Sequence, residues 1–245
     1  MKILDINTAI GGQKPATGEK VLLAQLLAYL HTFRIDHCVC YHVYACSDPQ
    51  TGNAQMAQLA AQSGGKVGAC MVLDPMLLEN SLPGQGTLAS RAATCGAEAL
   101  RVFPDNNSVP FHRLYWGELL DEVAQTGLPL IVECEYNDVF FSNLPDILEH
   151  YPEIPFVLLR CGLWNARKIE PLLKHYGNVW FDMSTMMDSW QLEQMMELNG
   201  CSRLVLGSGY PSFTAAGALG LAYYAQIPME NKAAILAGNW EGMTK

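Results

Sequence analysis

The sequence predicts a single (β/α)8 barrel over residues 1–245, and three observations carry that prediction. Apolar strand-like runs alternate with amphipathic stretches, separated by turn residues, in the pattern of repeated βα units around a parallel sheet. The length of 245 residues suits one such barrel, and 50% hydrophobic content is enough for a closed sheet buried on both faces. No linker, low-complexity tract or shift in composition marks a second domain.

The strands are expected at 2–7, 36–44, 67–73, 98–103, 129–135, 155–160, 178–182 and 203–207. The first lies in MKILDINTAI, which turns polar by Asp5, before the apolar core of a secretory leader could form. Helices are expected near 18–33, 53–63, 85–95, 115–126, 142–150, 165–175, 189–198 and 213–224, with a short closing helix near 229–237.

Charge and cysteine usage narrow the function. Fifteen Lys and Arg against 24 Asp and Glu give a formal charge of −9, with no basic block, so neither nucleic acid nor an anionic membrane is an expected partner. The apolar run Val21 to Leu30 is broken by Gln25 and too short to cross a bilayer. The eight cysteines (Cys38, Cys40, Cys46, Cys70, Cys95, Cys134, Cys161 and Cys201) sit in apolar segments, as buried thiols of a reducing compartment do. A soluble cytoplasmic protein with a small-molecule ligand is expected, with a homodimer as its assembly.

A barrel of this kind carries its site where the strands end. The last inward positions read as Asp5 and Asn7 on the first strand, His42 on the second, Asp74 after the third and Arg101 on the fourth. The fifth gives Glu133 and Glu135, the sixth Arg160, the seventh Asp182 and the eighth Ser208 and Gly209.

The segment RLVLGSGYPSF, followed by a helix and then ILAGNWEGM, resembles the end of the amidohydrolase-related family of metal-dependent hydrolases. Other stretches fit that template in order: LDINTAIGG its first-strand D-x-H-x-H-x-G, SDPQTGN its second loop, GLPLIVE its fifth strand, FVLLRCG its sixth and NVWFDMS its seventh. The likeness covers nearly the whole chain, through the framework residues Asp5, Gly11, Asn53, Pro129, Gly162, Asp182, Gly207, Ser208, Tyr210, Pro211 and Asn239. It implies a metal-dependent TIM barrel that forms dimers.

The family's metal ligands and water activators are two first-strand histidines, one histidine each from the fifth and sixth strands, and an eighth-strand aspartate. The matching positions here hold Asn7, Ala9, Glu133, Arg160 and Gly209. A catalytic zinc needs about three ligands from His, Cys or carboxylate, with an open position for water. Ala and Gly offer none, Asn is a poor ligand, and a guanidinium repels a divalent cation. Loss of the family zinc or other divalent metal, and of metal-dependent hydrolysis with it, is therefore expected.

The remaining residues support three readings. In the first the barrel is a pseudoenzyme-like binder of a small, anionic molecule, with Asp5, Asn7, His42, Arg160 and Ser208 as ligand contacts and Arg160 paired to Glu133 in place of the metal. On that basis Arg160→Met is expected to destabilise the protein by about 3–5 kcal/mol. The second is an active hydrolase, decarboxylase or lyase that works through Asp5, Glu133, Glu135 and Asp182, with Mg2+ or Mn2+ as a possible oxygen-bound ion. The third is a non-catalytic subunit of a homologous enzyme. A phosphate site at Gly207, Ser208 and Gly209 and an apolar wall of Met183, Met186, Met187 and Trp190 are further candidates.

Overall fold

A computed structural model describes residues 1–15, 17–75, 86–133, 136–161, 166–187, 190–198 and 200–244. Eight parallel strands run in sequence order: β1 (Leu4–Ile10), β2 (His37–His42), β3 (Val67–Val72), β4 (Ala97–Val102), β5 (Leu130–Val132), β6 (Phe156–Leu158), β7 (Val179–Asp182) and β8 (Leu204–Val205). The amides of Ile6 and Ala9 bond to the carbonyls of Leu206 and Tyr210, at 2.9 and 2.8 Å, and join the last strand to the first. The expected (β/α)8 barrel is the fold observed.

Alternation along the strands sorts the apolar residues into two cores. Inside the barrel lie Ile6, Val39, Cys70, Ala99, Ile131, Val157 and Val205. Trp240 of the C-terminal helix closes this core from the end where the strands begin, as the 2.6 Å Lys2–Glu241 ion pair shows. Opposite-facing residues such as Cys38, Leu100, Leu130, Phe156 and Phe181 pack under the helices.

The helices are α1 (Leu23–Phe33), α2 (Pro49–Gln62), α3 (Leu88–Cys95), α4 (Arg113–Ala124), α5 (Asp138–His150), α6 (Ala166–His175), α7 (Gln191–Glu197), α8 (Ala215–Tyr224), α9 (Met229–Ala233) and α10 (Asn239–Met243). Capping moves several starts away from those expected. Asp48 accepts the N–H of Thr51 at 3.0 Å and Pro49 takes the first turn, so α2 begins before residue 53. Asn137 caps α5 through the N–H of Phe140, and that helix begins before residue 142. Lys20, expected in the first turn of α1, instead pairs with Gln13 in a small antiparallel bridge.

Two framework asparagines work as staples. Asn53 is buried on α2 and makes a two-way bond with Val72, donating to its carbonyl at 2.8 Å and accepting its amide at 2.9 Å, which fixes the helix to the end of β3. Asn239 donates to the carbonyls of Cys201 and Leu204, both at 2.7 Å, and ties the closing helix to the start of β8. Seven cysteines are unpaired thiols, and Cys134 lies outside the described residues. Among the described residues no helix is long and apolar enough to cross a membrane.

Candidate functional site

At the C-terminal mouth, five residues from five strand ends close into one ring. Asn7 lies within a register shift of β1 and is buried, with its Nδ2 donating to Asp182 Oδ2 at 3.1 Å. Its Oδ1 accepts from Arg101 Nη1, also at 3.1 Å. Arg101 pairs with one oxygen of Glu133, and Arg160 pairs with the other. The backbone amide of Arg160 completes the circuit, donating to Asp182 Oδ1 at 2.6 Å.

Each member is placed by its local chain. Arg101 faces inward from β4, its guanidinium 4.3 Å from the centre of the Tyr41 ring and 5.0 Å from that of Phe103, and its side chain is only 3% exposed. Arg160 follows β6 in the left-handed region, φ 58°, a conformation costing roughly 1 kcal/mol or more in a residue with a Cβ. That turn points its amide at Asp182 and brings its side chain to Glu133, still 41% exposed. Burial lowers the Arg160 pKa, and Arg101 beside it adds to the effect. Asp182 is fully buried, and desolvation raises its pKa against the hydrogen bonds it accepts.

Gly207 makes the ring possible. A Cβ there would come within 2.6 Å of Asp182 Oδ2 and 3.0 Å of Asn7 Cβ. Gly207→Ala is accordingly expected to displace Asp182 from Asn7 and lower stability by about 1–3 kcal/mol, read by chemical denaturation. An unchanged midpoint would show that the contact yields freely.

Several expected contacts sit elsewhere. His42 does not face the mouth: strand alternation turns Tyr41 inward, and the His42 ring packs over Gly11 while its Nδ1 accepts the N–H of Tyr44 at 3.2 Å. Asp5 is buried on the β1–β8 seam, where its Oδ1 accepts the amides of Asn7 at 3.1 Å and Ser208 at 2.9 Å. Ser208 is 1% exposed and its Oγ accepts the N–H of Tyr210, so it offers nothing to the mouth. With the Ser208 amide on Asp5 and that of Gly209 on the carbonyl of Asn7, the G-S-G turn has spent two donors a phosphate would need. Met183 and Met186 are buried in the layer under the helices, whereas Met187 and Trp190 are exposed. Glu135 and Gly162 lie outside the described residues.

Arg101 was legible as an inward position but not as the second partner of Glu133, and Tyr41 was missed. Val39, two residues before Tyr41, is the signal that could have set the phase of β2, since its apolar side chain belongs to the barrel interior.

The ring leaves a cavity of about 40 Å3, lined among the described residues by Asn7, Ala9, Tyr41, Arg101, Glu133, Arg160, Gly209 and the segment Tyr210 to Phe213. The donor set does not fit a divalent metal. Two guanidiniums hold the one matching carboxylate, and among the described residues no three His, Cys, Asp or Glu side chains gather in a metal-binding group.

No protein-family model matches the sequence, and neither does any curated protein. Solved structures do match in fold. The 5-carboxyvanillate decarboxylase of Sphingomonas paucimobilis superposes with a TM-score of 0.72 at 13% identity, covering 99% of this chain and 98% of that one. A 2,6-dihydroxybenzoate decarboxylase bound to 2,6-dihydroxybenzoate gives 0.73 at 11%, covering 100% and 99%. A protein described as amidohydrolase II gives 0.73 at 14%, covering 99% of each chain. Along its full length the chain has the fold of these solved structures, a single (β/α)8 barrel.

Proposed function

We propose that this barrel binds the carboxylate group of a small molecule at its mouth, without the metal chemistry that the fold hosts elsewhere. The observation that carries the reading is the pair of arginines converging on one carboxylate, of which Arg160 keeps 41% of its side chain exposed at the cavity. Guanidinium forks suit planar carboxylates, and the low-dielectric surroundings strengthen such contacts. The cavity sets the scale: about 40 Å3 is room for roughly three waters, or for a group of three heavy atoms. That is the size of a carboxylate head, with the rest of the ligand lying toward Tyr210 and Phe213. The solved decarboxylases of this fold are named for carboxylated rings, which agrees with the reading.

Catalysis by the ring's own carboxylates has less support. Glu133 is engaged on both oxygens, and Asp182 is buried and engaged on both of its own. Neither is free to take a proton from a substrate without breaking the ring.

The test follows the Arg160 side chain by NMR. Acetate and formate are expected to shift its Nε–H signal saturably, and chloride at matched ionic strength is not. A signal that does not move, or moves equally with chloride, overturns the proposal.

A further inference from the structure

We infer that Glu133 is a built-in competitor of the ligand: it occupies Arg160 in the empty site and yields that guanidinium to an incoming carboxylate. The inference rests on the carboxylate-binding reading and adds its regulation. Its basis is the asymmetry of the two arginines that share Glu133. Arg101 is walled in by Tyr41 and Phe103, bonded to Asn7, and 3% exposed. Arg160 is 41% exposed, and its only ion pair among the described residues is with Glu133.

Both arginines line the cavity, but only Arg160 has exposed surface with which to turn to an entering carboxylate, while Arg101 stays held by its aromatic walls and Asn7. When Arg160 turns to the ligand, Glu133 keeps its bond to Arg101, so no buried charge is left without a counter-charge. The exchange replaces one guanidinium–carboxylate pair by another, and no bond is made or broken covalently. The Arg160 backbone stays pinned by its amide to Asp182, which confines the motion to the side chain. Because Glu133 is tethered, it competes at a high effective concentration, and a ligand must exceed it through further contacts. Glu133 thus sets the threshold affinity and weakens, without abolishing, the binding of small solutes carrying a lone carboxylate.

The experiment measures acetate affinity by calorimetry in the full-length wild type, Glu133→Gln and Arg160→Met. Removal of the competitor is expected to tighten acetate binding by about tenfold or more in Glu133→Gln. Arg160→Met is expected to abolish it while the protein stays folded through the Arg101–Glu133 pair. Where Glu133→Gln proves too unstable to handle, the double variant Arg101→Met with Glu133→Gln removes competitor and buried cation together, and it is expected to show the same tightening. Equal acetate affinity in wild type and the glutamine variants overturns the competitor role and leaves the anion site standing. Absence of acetate binding from every protein overturns both.

Discussion

Replacing Glu133 with alanine is expected to destabilise the protein by about 3–5 kcal/mol in urea denaturation, the largest effect of any single change at the mouth. The change removes the carboxylate that two guanidiniums share and leaves Arg101, 3% exposed, as a buried cation without its counter-charge. Arg160 can turn to water, but Arg101 cannot, being fixed between Tyr41, Phe103 and Asn7. The penalty should therefore travel with Arg101. Adding Arg101→Met to Glu133→Ala is expected to recover a good part of the loss, since the apolar side chain suits the aromatic walls. Strict additivity of the two changes would refute the coupling. The same asymmetry revises the magnitude expected for Arg160→Met. A side chain that keeps 41% of its surface in solvent and leaves Glu133 still paired should cost about 1 kcal/mol or less, instead of 3–5.

Asp5→Asn is expected to remove a pH dependence of similar size. Asp5 is wholly buried on the β1–β8 seam, and desolvation lifts its pKa to about 6, against the opposing pull of Ser208 and the Asn7 amide. The ordinary value is 3.8, so the folded protein holds this proton over a window in which the unfolded chain has lost it. Between about pH 4 and 6 the unfolded state binds fewer protons than the folded one, and the contribution of Asp5 to stability falls as pH rises. A shift near two units corresponds to roughly 3 kcal/mol, fully felt above pH 6 and relieved as pH drops toward 4. Relative to Asp5→Asn, the wild type should thus lose about that much stability between the two ends of the window. Urea titrations of both proteins at each end would measure it, and parallel pH profiles would show that Asp5 does not titrate there. The two amides on Asp5 Oδ1 still find a carbonyl in the variant, which isolates the charge from the hydrogen bonds.

The sequence by itself determined the barrel, the order of its strands and the absence of metal-ligating side chains at most of the positions where the template it resembles carries them. Periodic apolar runs have few ways to bury both faces, and the side chains of Ala9, Gly209 and Arg160 supply no ligand to a cation in any fold. It also determined that Arg160 and Glu133 should meet, because charges ending apolar strands need partners. What it left open was the phase of each strand end and the identity of every partner. The one-residue error at β2, His42 for Tyr41, followed from period-two alternation, which turns each side chain to the opposite face when shifted by one. The expected roles of Asp5 and Ser208 shared a different cause: their places on the chain are legible, but the bond of the Ser208 amide to Asp5 Oδ1 that engages them forms only where β8 closes against β1. Only the tertiary structure decided that Arg101, 32 residues from Glu133, shares its carboxylate, and that Asn7 bridges Arg101 to Asp182 across 175 residues of chain. Such contacts depend on barrel closure, which brings all the strand ends to one mouth, and no local pattern records which of the side chains gathered there will touch.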